Sequence, residues 1–178
     1  MALTNAQLSS IVPTLHDPKL SLYVAALNST MLEFGINTPA QQAMFLAQIA
    51  HESMGFFYTK ELASGAAYEN REDLGNTQPG DGILFKGRGL IQITGRANYV
   101  ALMMALNIDC VVHPEILEAP DLATRSAGWF WSSRNLNSIA ALNTSDAFIT
   151  VTKRINGGIN GLADRQQYWA KAKKALGI

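Results

Sequence analysis

Thr38-Pro39-Ala40-Gln41-Gln42-Ala43-Met44-Phe45-Leu46-Ala47-Gln48-Ile49-Ala50-His51-Glu52 is the stretch on which the reading of the fold turns. It opens as a helix. Thr38 suits the N-cap, Pro39 the first helical position, and Gln41 completes a capping box. Gly55 stands as a stop. Between these signals apolar residues point in nearly every direction, which predicts a buried helix running to about Met54. Only Gln48, His51 and Glu52 interrupt it, and at i, i+3 and i+4 they share one face. A single polar stripe on a buried helix predicts that the stripe looks into a wet cleft.

Helical periodicity dominates the flanking sequence too. Residues 5–15 and 18–34 read as two helices separated near Asp17-Pro18 and closed by Gly35. Further helices are predicted over 96–107, 121–134, 144–155 and 162–176, with Asp121 and Thr144 or Ser145 as N-caps. Residues 56–89 are less regular, punctuated by Gly65, Gly75, Gly80, Gly82, Gly87 and Gly89. Leu90-Ile91-Gln92-Ile93-Thr94 alternates like a short extended segment that puts Gln92 and Thr94 on one side. Asn156-Gly157-Gly158-Ile159-Asn160-Gly161 is a glycine-rich turn between the last two helices. The 178 residues hold no repeat and no linker, and read as a single catalytic domain spanning 1–178 with no separate wall-binding domain.

Composition narrows the function. Lys and Arg total 14 and balance 14 Asp and Glu, so the basic excess of an electrostatic nucleic-acid binder is missing. The halves differ: residues 1–89 hold five basic and eight acidic side chains, residues 90–178 nine and six. A basic last helix with Lys171, Lys173 and Lys174 accounts for much of this. No stretch approaches the roughly 20 apolar residues of a membrane span, so no stable membrane insertion is expected. The one cysteine, Cys110, allows no internal disulfide and points to folding in a reducing compartment. It lies among Ile108, Val111 and Val112 and reads as core. The first residues carry no basic, apolar leader.

Glu52 and Glu61 stand nine residues apart. A carboxylate beside a wholly apolar run is costly unless it is paired or used. Glycosidic hydrolysis needs one carboxyl to protonate the leaving oxygen and a second to activate water or attack the sugar. Glu52, on the apolar helix, suits the acid, because desolvation keeps a proton on. Glu61, in the open loop, suits the base. Spacing alone says little, and the plain alternative for Glu52 is an ion pair with Arg88 or Arg165. His51 is either a structural histidine or a group that orients a carboxylate or sugar. His16 and His113 are remote, and without a second histidine at ligand spacing the sequence argues against a zinc peptidase. Phe85-Lys86-Gly87-Arg88-Gly89 lacks the Gly-Lys-Ser/Thr ending of a phosphate loop. Gln92 and Thr94 beyond it can bond a sugar or hold a water; a tight hairpin with an exposed polar face is the alternative.

Three segments resemble glycoside hydrolase family 19, which holds chitinases and many bacteriophage endolysins: Phe45 to Ser53, Lys86 to Tyr99, and Ile155 to Ile159 with Ala163-Asp164-Arg165. The match runs in order over about residues 38–170, and the short, cysteine-poor chain looks most like the phage endolysin branch. The resemblance implies a mainly α, lysozyme-like fold: helices in two lobes around a cleft, with a short irregular or β-hairpin segment. It implies an inverting mechanism without cofactor or metal, with carboxyls roughly 6.5–9.5 Å apart to admit a water. Glu52 falls on the general acid, Glu61 on the general base, and Thr94 where a hydroxyl helps hold that water. His51, Gln92, Asn98, Asn156 and Arg165 fall at substrate-binding positions. Leu90 replaces a proline common in the family, and the long insertions and disulfides of plant chitinases are missing.

The expected function is therefore that of a peptidoglycan-degrading endolysin. It would hydrolyse β-1,4 bonds between N-acetylmuramic acid and N-acetylglucosamine. As a monomer in the cytoplasm of an infected host, it would reach the wall after holin-dependent release. A chitinase, a non-catalytic glycan-binding protein of the same fold, and an antibacterial effector with the same chemistry are the alternatives.

Overall fold

A computed structural model describes residues 2–178. Its helices are α1 (Asn5–Ile11), α2 (Lys19–Glu33), α3 (Pro39–Glu52), α4 (Asp81–Leu84), α5 (Arg96–Leu106), α6 (Pro120–Ser133), α7 (Leu136–Ala140), α8 (Ser145–Asn156) and α9 (Leu162–Leu176). Single 3-10 turns lie at Ala66–Tyr68, Glu72–Leu74 and Pro114–Glu118. The fold is mainly α, as expected, and among the described residues no helix is long and apolar enough to cross a membrane.

α3 is the central element, and its sequence shows why. The capping box forms in both directions: Gln41 N donates to Thr38 Oγ1 (3.2 Å) and Thr38 N to Gln41 Oε1 (3.0 Å). Ala43 through Ala50 are all buried, so the helix stabilises itself by removing every side from water rather than one. α9 runs along α3 and α1 covers α9, while α2 packs on α6. Trp131 of α6 meets Phe45 of α3 edge to face at 5.3 Å, and Phe148 of α8 stacks on Trp169 of α9 at 4.5 Å. Cys110 is buried and its Sγ donates to Tyr99 O (3.3 Å); burial pushes the thiol up to about 11, so it is core as expected.

Several boundaries shift for local reasons. The first helix ends at Ile11, short of the predicted residue 15, and the following Pro13, which has no N–H, cannot extend an i→i−4 ladder. α6 starts at Pro120 with Ala119 as its N-cap, so Asp121 is a first-turn acid, not the cap. Thr144 caps α8 as predicted, accepting from Ala147 N (3.2 Å). α3 stops at Glu52, because Met54, Gly55 and Phe56 all turn left-handed (φ 50°, 71° and 65°).

The larger correction concerns Leu90–Thr94. It is not an extended segment. Arg88 and Ile93 exchange backbone hydrogen bonds (3.1 and 2.8 Å), and Gly89–Gln92 turns the chain between them, with Gln92 left-handed at φ 55°. Arg88 also bridges Lys60, so three very short antiparallel pieces form the only sheet-like element among the described residues. Behind it the 64–85 loop is clipped shut. Glu69 accepts from Gly80 N (2.7 Å) and Gly82 N (2.8 Å), and buried Asp81 accepts from Thr77 N, Gln78 N and the Arg96 guanidinium.

Candidate active site

Glu52 is the last residue of α3, and its stripe packs against α8 and α9, with Gln48 buried while His51 and Glu52 stay partly open to solvent. Arg165 on α9 is 2% exposed and donates to three partners: Nη2 to Glu52 Oε1 (2.5 Å), Nη1 to Gln48 Oε1 (2.6 Å) and Nε to Asn160 O (3.1 Å). Gln48 Nε2 then donates to Thr152 Oγ1 on α8 (2.8 Å). His51 Nδ1 lies 2.6 Å from Asp164 Oδ2. All three stripe residues therefore meet α8 and α9 through hydrogen bonds, because a buried polar group without a partner is penalised heavily. Of the two arginines proposed as partners of Glu52, Arg165 is the one; Arg88 pairs with Glu118 (2.9 Å) and Tyr99. The Glu52 side chain is 20% exposed, so the seam opens to solvent at the carboxylate. Its Oε1 is taken by Arg165, and Oε2 has no protein partner among the described residues.

Glu61 is held by different means. Tyr68 OH donates to Oε1 (2.9 Å) and Gly87 N to Oε2 (3.1 Å), while Glu61 N donates to Gly87 O (2.9 Å). Burial, then the hydrogen bond and charge of Glu61, raise Tyr68 above the usual tyrosine value, so it stays a donor at neutral pH. Gly87 lets the Gln92 side chain lie against the backbone: a Cβ there would meet Gln92 Oε1 and push that side chain aside. Gln92 Nε2 caps Gly89 O (3.2 Å), Thr94 Oγ1 donates to Gln92 O (3.0 Å), and Asn98 Nδ2 donates to Thr94 O (2.7 Å). Thr94 keeps lone pairs with which to accept from a water.

Two clusters result. The structure brings Glu52, His51 and Arg165 together, and separately Glu61, Gln92, Thr94 and Asn98. The strap 53–60 joins them. Asn156 holds the glycine turn of the first cluster: Nδ2 donates to Asn160 O (3.0 Å) and Oδ1 accepts from Gly158 N (2.8 Å). Gly161 lies so close to His51 that a Cβ would overlap the imidazole. The sequence puts Gln48 on the stripe, Asn160 in the glycine-rich turn and Asp164 in a family-like motif beside Arg165 without giving any of them a role, and nothing in it points to Thr152 or Tyr68.

A mainly helical body with two separately anchored carboxylates fits the class of glycoside hydrolases. The comparisons then fix which one. A Haemophilus influenzae protein described as glycosyl hydrolase family 19 domain-containing is 35% identical over 172 residues, covering 79% of this chain and 82% of that one. This chain belongs to glycoside hydrolase family 19. An Arabidopsis thaliana endochitinase is 34% identical over 163 residues, with 88% of this chain matched; the chain spans about half (55%) of that enzyme's length. Chitinase C from Streptomyces griseus HUT6037 superposes with a TM-score of 0.79 at 25% identity, over 99% of this chain and 77% of that one. Another bacterial family 19 chitinase shares the fold, with a TM-score of 0.80 at 22% identity over 100% of this chain and 96% of that one. No protein-family profile matches the chain.

Proposed function

We propose that this glycosidase cleaves β-1,4 bonds of peptidoglycan between N-acetylmuramic acid and N-acetylglucosamine, by inversion, as a phage endolysin. The observation that carries the mechanism is the unequal anchoring of its carboxylates. Arg165 fixes Glu52 through Oε1, which leaves Oε2 at the open end of the seam to carry a proton to the leaving oxygen. Glu61 accepts from Tyr68 OH and Gly87 N, which hold its carboxylate in place as a positioned base requires. Thr94 helps hold the water that Glu61 activates. His51, Gln92, Asn98 and Asn156 contact the glycan. The whole chain acts as one catalytic domain, is made in the host cytoplasm, and reaches the wall once a holin opens the membrane. The single cysteine, which allows no internal disulfide, supports this branch.

Chitin is the second reading, favoured by the plant relative named an endochitinase at 34% identity. Mass spectrometry of products from purified peptidoglycan and from chitin oligomers tests both. Peptidoglycan fragments with reducing N-acetylmuramic acid ends are expected. Cleavage of chitin alone would overturn the endolysin reading.

A further inference from the structure

A groove of about 480 Å³ runs beside the strap that joins the two carboxylates. Met54 to Tyr58 form one wall; Thr14, Leu15, His16 and Lys19 form the other. The walls are in contact, since a Cβ on Gly55 would touch Val12 (3.1 Å) and Thr14 Oγ1 (3.5 Å). The groove starts two residues after Glu52 and ends three before Glu61. Consecutive Cα atoms are about 3.8 Å apart, so its near end lies within about 8 Å of the Glu52 backbone.

Its chemistry is that of an anion site with an apolar floor. Lys19 Nζ stands 5.7 Å from the Phe57 ring centroid and 5.8 Å from that of Tyr23, and no carboxylate pairs with it among the described residues. Asp17, two residues away, is turned to α2, where its Oδ1 accepts from Ser21 N (3.1 Å) and Ser21 Oγ (2.5 Å). A cation resting beside rings keeps its N–H donors available for an anion. Thr14 and His16 are exposed beside it, while Leu15 and Phe56 are buried beneath.

Chitin is neutral and unbranched, and offers this ammonium no opposite charge. Peptidoglycan carries a peptide stem on every second sugar, with carboxylates and alanine methyls. We infer that the groove takes the carboxylate-bearing peptide stem of peptidoglycan, with Lys19 pairing the carboxylate. The inference rests on peptidoglycan cleavage at Glu52 and names what would distinguish that substrate from chitin.

The test compares wild type and Lys19→Met on stemmed peptidoglycan and on the same strands stripped of stems by an amidase. A charge-assisted contact of this kind corresponds to about a tenfold effect. The ratio of kcat/KM for stemmed over stripped strands should fall about tenfold in Lys19→Met, through KM. Calorimetry of muramyl dipeptide with Glu52→Gln should show binding that weakens with salt and disappears when Lys19→Met is added. An unchanged ratio, or no dipeptide binding while strands are still cut, overturns the groove assignment alone. Lys19-dependent dipeptide binding with no cleavage of either strand overturns the cleavage reading and upholds the groove.

Discussion

The two carboxylates are held by opposite strategies. Glu52 is fixed by side chains on packed helices: a buried arginine on α9, a glutamine on its own helix and a threonine on α8. Glu61 is fixed by a loop: one tyrosine hydroxyl, one backbone amide and a glycine that lets the chains touch. In the proposed mechanism, helices carry the residue that must hold its geometry as charge moves through it, and the loop carries the residue whose surroundings must admit water and sugar. An arginine fork is rigid and strongly bound, while a phenol and an amide are exchangeable with water at small cost.

Removing the acid gives the largest expected effect. Glu52→Gln keeps an acceptor for Arg165 but has no proton to give, so turnover should drop about 10²–10⁴-fold, and Tm should also fall because the buried guanidinium loses its only carboxylate. Reducing-end release from peptidoglycan measures it; near-wild-type turnover would remove Glu52 from the acid role. Arg165→Met comes next and strikes the helical side. Breaking a buried ion pair leaves Gln48 and Glu52 uncompensated, and should cost roughly 3 kcal/mol, or about 6–12 °C in Tm by calorimetry. Tyr68→Phe is the matching change on the loop side. It should lower turnover about fivefold, near 1 kcal/mol, with Tm little altered. If its Tm falls as far as that of Arg165→Met, the two anchorages are not different in kind.

Acid should produce the smallest effect, and on the loop side first. The Arg96 hydrogen bond holds Asp81 below its ordinary 3.8, against burial and with help from Gln78 and Thr77 amides. A depressed folded value means that the stability Asp81 adds is complete above about pH 4 and is lost as pH falls through the lowered value. Hydrogen exchange at the Thr77 and Gln78 amides should therefore quicken below pH 4 before that of α3, and Asp81→Asn should abolish the difference. Glu33, lowered by its hydrogen bonds to Arg125, acts in the same direction and remains in that variant.

This contrast also explains what the sequence disclosed. The Thr38 capping box and the apolar run to Ala50 are local, so α3 was legible, and so was the polar stripe. The partner of Glu52 was legible only as a choice between Arg88 and Arg165, because Arg165 lies 113 residues away and contact at that range has no periodic signature. The Leu90–Thr94 alternation misled, since the Arg88–Ile93 pairing forces a turn that puts Gln92 left-handed. Tyr68 was invisible: its distance from Glu61 depends on how the glycine loop folds, and seven residues of irregular chain fix no direction.

The seam between α3 and α9 carries one more consequence, for how such enzymes diverge. Gln48, His51 and Glu52 meet their partners only because each α-helical residue advances about 100° around the axis. One inserted or deleted residue anywhere between Pro39 and Gln48 would swing all three away from Arg165 and Asp164 at once. The span from Ala63 to Gly80 is constrained differently, by single contacts such as Tyr68 to Glu61 and Glu69 to the Gly80 amide, not by one helical register. α3 is in effect a ruler, and one inserted or lost residue would misplace three marks together.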